Sequence, residues 1–140
     1  MATNNIFVNL PVDDLEASKA FYTALGYTLN PNFSDEKAAC VVLSDSVYIM
    51  LLVKPYFSTF TDREVVDPRS QVGSLNSLGV DSREEVDRFA ERAVAAGGAE
   101  LNEPQDFGFM YSRDIEDPDG HGWQIMWMDP VAQQNGPPSE

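Results

Sequence analysis

One succession of elements is spelled twice along this chain. From Ile6 to Val12, Phe7, Asn9 and Pro11 alternate with Ile6, Val8, Leu10 and Val12, which is the period of a half-buried strand. Asp13 or Asp14 suits a helix N-cap, and Leu15, Ser18, Phe21, Tyr22 and Leu25 share one stripe until Gly26 stops the helix. Strands are expected at 27–29, 38–43 and 47–53, with Pro31-Asn32 and the turn Ser44-Asp45-Ser46 between them. The order then returns. A strand is expected at 75–80, followed by a cap at Asp81 or Ser82. The next helix carries the stripe Val86, Phe89, Ala90, Ala93 and Val94 and closes at Gly97-Gly98. Strands follow near Leu101, at 109–115 and at 122–128, the last two joined by the turn Asp117-Pro118-Asp119-Gly120. A shift of 68 residues also pairs Leu10 with Leu78, Val12 with Val80, Asp13 with Asp81, Glu16 with Glu84 and Phe21 with Phe89. The repeated order of elements carries more weight than these few identities.

Two strand–helix–strand–strand–strand units predict an α+β fold of two βαβββ modules, each a mixed sheet with one covering helix. The reading is one domain over residues 1–130. Module one spans about 5–54, a linker about 55–72 and module two about 73–130, with a flexible tail at 131–140. The linker holds Pro55 and Pro68 but also Tyr56, Phe57 and Phe60, more aromatic than a plain connection requires. At 140 residues the chain can bury a core without disulfides or structural metal. Nine Lys and Arg against 23 Asp and Glu leave a net charge of −14, which argues against nucleic acid and against an anionic membrane surface. No apolar run reaches the roughly 18 residues of a membrane span, and the polar start Met1-Ala2-Thr3-Asn4-Asn5 is not a signal peptide. The single Cys40 has no internal disulfide partner, so a cytoplasmic location is expected.

The opening Phe7-Val8-Asn9-Leu10-Pro11-Val12-Asp13-Asp14-Leu15 and the late Asp117-Pro118-Asp119-Gly120-His121-Gly122-Trp123, set in two βαβββ units, resemble the vicinal oxygen chelate superfamily. That superfamily includes glyoxalase I, extradiol dioxygenases, and the bleomycin- and fosfomycin-resistance proteins. The run from Glu103 to Arg113 and the ending Trp127-Met128-Asp129-Pro130 look closest to its glyoxalase-like, predicted lactoylglutathione lyase-like branch. The resemblance implies curled, half-open mixed sheets and a homodimer. It also implies, for the metal enzymes, a divalent ion held by one His or Glu from each of four strands. The matching positions here are Phe7, Met50, Leu75 and Gln124. Phe and Leu have no donor atom, a Met thioether suits soft metals, and Gln124 offers one neutral oxygen. The resemblance therefore implies a member without the superfamily's metal site: no metal ligands and no cofactor.

His121, the lone histidine, reads either as a turn residue of that motif or as a base or ligand. Cys40, among Ala38, Ala39, Val41 and Val42, reads as a buried inert thiol rather than a nucleophile. The remaining site argument concerns a pocket. Alternation groups Tyr48, Met50 and Leu52 on one strand face, and Gln124, Met126 and Met128 on another. Met50 and Gln124 match the family's inward metal positions, so their faces are expected to line a cavity. Phe109, Tyr111 and Arg113 share a face that would also be inward, with Arg113 meeting a ligand anion, or Asp114 or Glu116 as a structural partner. The expected ligand-binding set is Tyr48, Met50, Phe109, Tyr111, Arg113, Trp123 and Gln124, with Tyr56, Phe57 and Phe60 as a mobile rim. Trp123 is included although its place next to Gln124 turns it the other way. The function expected is metal-independent binding of an unknown small organic ligand. The alternatives are a glyoxalase-like lyase or isomerase, working through displaced metal ligands or through Glu103, Asp106, Asp114, Tyr111 and His121, and an interaction subunit without a ligand.

Overall fold

In a computed structural model, which describes residues 1–138, the alternating segment Ile6–Val12 is strand β1. The Asp14 carboxylate accepts the Ala17 N–H at 3.1 Å and starts helix α1, Leu15–Ala24, whose buried residues are Leu15, Ser18, Phe21 and Tyr22. Gly26, at φ 108°, ends it. Strands β2 (Thr28–Asn30), β3 (Ala38–Val42) and β4 (Val47–Val53) complete the first unit. Its sheet runs β1-β4-β3-β2, with β1 and β4 parallel and the other pairs antiparallel.

The second unit repeats this. Strand β5 is Asn76–Gly79. Helix α3, Arg83–Ala95, is capped by Ser82, whose hydroxyl accepts the Glu85 N–H. Strands β6 (Ala99–Glu100), β7 (Gln105–Asp106), β8 (Met110–Glu116) and β9 (Gly122–Met128) follow. The order is β5-β9-β8-β6, with β7 pairing β8 beside β6 and β5 parallel to β9. The result is the expected α+β fold of two mixed, unclosed sheets.

Three segments differ from expectation. The linker opens with a short helix α2, Lys54–Phe57, and a 3-10 turn, Ser58–Phe60, in which the Tyr56 and Phe60 rings meet edge to face at 5.1 Å. Strand β7 is additional. Residues 130–135, expected within a flexible tail or at its edge, form helix α4, Pro130–Asn135, because Asp129 caps it by accepting the Val131 N–H and Ala132 is buried. Residues 139 and 140 of that tail lie outside the described residues. No helix among the described residues is long and apolar enough to cross a membrane.

The helix-facing sides of both sheets share one core. Val12, Phe21, Ile49 and Leu51 of the first unit join Val86, Ile115, Trp123 and Ile125 of the second. Each large side chain buried this way contributes about 1.5–3 kcal/mol relative to exposure. Polar cross-links run through the same junction from the turn Asp117-Pro118-Asp119-Gly120. Tyr22 Oη donates to Asp117 Oδ2 at 2.7 Å and accepts from Trp123 Nε1–H at 3.1 Å. Ser18 Oγ donates to Asp119 Oδ2, and the Asp13 N–H to Asp119 Oδ1, each at 2.9 Å. The turn of the second unit is thereby seated in the start of α1, and its carboxylates are spent on structure.

Candidate functional site: the open sheet faces

Each sheet has one face packed on its helix and one turned away. In the first unit the face turned from α1 carries Tyr48, Met50 and Leu52, because the alternate residues Ile49 and Leu51 are in the core; Leu52 is itself buried, so only the Tyr48–Met50 end of this face is open. The β1 register puts Phe7 beside Tyr48, Asn9 beside Met50 and Pro11 beside Leu52. The Phe7 and Tyr48 rings stack with centroids 4.6 Å apart and planes 13° apart. Cys40 lies beside Met50 on β3 but is buried, and burial pushes its thiol pKa up, consistent with the inert reading.

In the second unit Trp123 and Ile125 are buried in the core, which turns Gln124, Met126 and Met128 to the open face as expected. The β8 register brings Asp114 beside Gln124, Ser112 beside Met126 and Met110 beside Met128, while β5 brings Ser77 beside Gln124. Ser77 Oγ donates to Gln124 Oε1 at 2.9 Å. A cavity of about 390 Å³ lies here, walled by Leu75, Ser77, Leu101, Asn102, Asp114 and Gln124, among others. A second, of about 360 Å³, lies between the linker and the Asp117–His121 turn, with Phe57, Val66, Leu75, Glu116 and His121 on its walls.

The other half of the expected set is not on these faces. Tyr111 and Arg113 alternate with Ser112 and Asp114 and share the side of Ile115, which is fully buried, so they face α3. Tyr111 Oη donates to Asp87 of α3. Arg113 donates through Nε and Nη2 to Glu100, both at 2.8 Å, and through Nη1 to Asp87 at 3.0 Å. The Tyr111 hydroxyl and then the guanidinium hold the Asp87 carboxyl below its ordinary range, and Arg113 does the same to Glu100. Arg113 is therefore engaged with structural carboxylates, and these are Asp87 and Glu100 rather than Asp114 or Glu116. Phe109 precedes β8 and tilts against Phe107 at 6.4 Å, away from the cavity walls named above. Trp123 is 3 % exposed, a core residue that also forms part of the wall of both cavities. Of the aromatic linker residues, Phe57 lines the second cavity, while Phe60 is exposed.

His121 is held by the turn. Its N–H donates to Asp117 Oδ1 at 2.9 Å, and Nε2 lies 2.6 Å from the Pro11 carbonyl oxygen. A carbonyl only accepts, so Nε2 carries the proton and the ring links the second unit to β1. The groups considered for acid–base chemistry do not converge. Asp106 is paired with Arg83, Tyr111 with Asp87, and Asp114 lies on the opposite face of the same strand.

The positions that the resemblance implies for metal ligands do not fit a divalent ion. Phe7 is stacked on Tyr48, Leu75 is 84 % exposed, and neither has a donor atom. Among the described residues no group of three or more His, Cys, Asp or Glu is placed to hold a metal ion.

Two βαβββ units with unclosed mixed sheets define the vicinal oxygen chelate fold. Residues 5–44 match the family described as bleomycin resistance protein-like N-terminal. A hypothetical protein from S. aureus is 28% identical, over 91% of this chain and 95% of that one, with a TM-score of 0.76. A glyoxalase/bleomycin resistance protein/dioxygenase family enzyme from Burkholderia phytofirmans PsJN is 20% identical (87% and 96% covered, TM-score 0.72). A bleomycin resistance determinant encoded on the transposon Tn5 is also 20% identical (90% and 98% covered, TM-score 0.64). No curated protein matches the chain. The chain thus shares the fold of these glyoxalase/bleomycin resistance proteins, and its first module matches the bleomycin resistance protein-like N-terminal model.

Proposed function

We propose that this protein binds a small organic molecule without a metal, on the open face of its second module, and works as a cytoplasmic homodimer. What supports this reading is that the positions the resemblance implies for metal donors hold Phe7, Met50 and Leu75, while a walled cavity lies beside Gln124. Met110, Met126 and Met128 give that face an adaptable apolar surface, and Ser77, Asn102, Asp114 and Gln124 supply polar groups at its cavity. Dimer formation is supported by the exposure of the apolar side chains Ile6, Phe7 and Leu75. The unpaired, buried Cys40 and the net charge of −14 support a reducing compartment and the absence of a nucleic-acid partner. Acid–base groups that do not converge favour binding over turnover.

The test combines native mass spectrometry, elemental analysis and a thermal-shift panel of aromatic and aliphatic organic compounds. A dimer free of stoichiometric Zn, Ni, Mn or Fe, whose melting temperature rises with some panel member, is the expected result. A tightly held metal in stoichiometric amount overturns metal independence, and a monomer at micromolar concentration overturns the dimer.

A further inference from the structure

We propose that residues 61–73 are a strap, latched by Arg69, over the cavity between the linker and the Asp117–His121 turn, and that this cavity takes an uncharged apolar molecule. Residues 61–73 hold no helix or strand. Their own hydrogen bonds close a local turn: the Ser70 and Gln71 N–H groups donate to the Asp67 carbonyl, and Gln71 Oε1 accepts the Asp67 N–H. Among the described residues, every hydrogen bond and ion pair from this segment to the rest of the chain comes from the Arg69 guanidinium. Its Nη1 donates to Asp13 Oδ2 at 3.1 Å; its Nη2 donates to the Pro118 carbonyl at 3.2 Å and lies 3.9 Å from Asp119 Oδ1. The backbones also touch at Gly120, where a Cβ would lie 3.1 Å from the Arg69 nitrogen and 3.1 Å from the Pro68 carbonyl carbon. A segment tied at one exposed side chain opens locally, without unfolding the elements on either side of it.

The cavity under the strap measures about 360 Å³. Val65, Val66 and Pro68 of the strap wall it together with Leu10, Phe57 and Trp123 of the body. The polar side chains on its walls are engaged close to home. Asn9 Nδ2 donates to the Phe7 carbonyl at 3.4 Å, Asn76 Nδ2 to Ser74 Oγ at 3.4 Å, and His121 Nε2 to the Pro11 carbonyl at 2.6 Å. Gln71 spends its carbonyl oxygen on the Asp67 N–H. No Lys or Arg lines the cavity to receive an anion, and Glu116 is the one carboxylate on its walls. Recognition is therefore left to apolar contact, which needs no directed partner. An apolar cavity of about 150 Å³ is already enough to hold benzene. A molecule filling the space touches strap and body at once, so it favours the closed strap, and opening the strap gives it a way in.

The test uses the full chain, toluene as the probe, and endoproteinase Glu-C, whose cut after Glu64 reports the strap. Cleavage of a locally opened segment follows the population of the open form. Arg69→Gln is expected to raise cutting at Glu64 about fivefold, the shift that an exposed ion pair can supply. Lys54→Gln removes the other cation on Asp13, outside the strap, and is expected to leave the cut unchanged. In wild type, toluene is expected to slow the cut and to shift the Leu10 and Val65 methyl resonances, while benzylammonium binds less tightly. No rise in Arg69→Gln, or an equal rise in both variants, overturns the latch. Toluene shifts confined to the Met110, Met126 and Met128 methyls overturn the cavity as a site while leaving the open-face reading intact. An absence of shifts at Leu10 and Val65 overturns the cavity as well, and neither result needs a variant to fold. Tighter binding of benzylammonium than of toluene overturns the ligand class.

Discussion

Arg83 lies over the Tyr111 ring at 5.3 Å and the Trp127 ring at 5.1 Å, and it clamps Asp106 with two bonds of 2.8 and 2.9 Å. A third bond reaches the Gly108 carbonyl at 2.8 Å. The guanidinium, helped by the Gly108 N–H, holds the Asp106 carboxyl down to about 2. Because this folded pKa is below the ordinary one, the pair's contribution is present above the usual carboxylate range. It is lost as pH falls through about 2. A carboxyl-carbon NMR titration should give an Asp106 midpoint near 2 in wild type, moving up into the ordinary range in Arg83→Gln. An unchanged midpoint in the variant would show that Arg83 is not the cause. At this scale the face of Met50 and Gln124 is legible because both match the metal positions the resemblance implies, and alternation extends that face to Tyr48. The sequence misplaces Tyr111 and Arg113, because their facing is set by Asp87 on α3 and Glu100 on β6, which alternation along one strand does not reveal.

Helix α3 meets β8 through a point where no side chain fits. A Cβ built on Gly98 would lie 2.4 Å from the Glu116 carbonyl oxygen, 2.9 Å from the Phe21 ring and 3.0 Å from the Ala93 carbonyl oxygen. Two of these are backbone atoms, so β6 must move away from β8 to admit a methyl group. Gly98→Ala should destabilise the protein by about 3 kcal/mol, the upper end for overpacking, as measured by urea unfolding. A cost below about 1 kcal/mol would mean that the β6–β8 pairing is looser than the register indicates. Strands β1, β4 and β9 have the boundaries that the sequence suggests, and both long helices start at capping residues visible in it. Strand β7 has two residues, too few to show a period, and depends on β8 for its existence. Helix α2 sits in a segment whose prolines spell a linker, but Pro55 is tolerated because it occupies the first turn.

The two units are joined less by their covalent linker than by one core and the turn that crosses it. Tyr22 is the centre of that junction, donating to Asp117 and accepting from Trp123. Tyr22→Phe keeps the ring but leaves the Asp117 carboxylate and the indole N–H each short of a partner. A loss of about 2 kcal/mol is expected. Heating or urea should still unfold wild type in a single transition, with near- and far-ultraviolet circular dichroism coinciding, because no boundary divides the core. Two separated transitions would show that the units are independent. The seated turn also sets a timetable. Ser18 and the Asp13 amide near the start of the chain bond to Asp119, 101 and 106 residues further on. On a ribosome the first unit is made long before its own helix entrance can be closed, so it must wait, with those groups in water, until nearly the last strand has been synthesised.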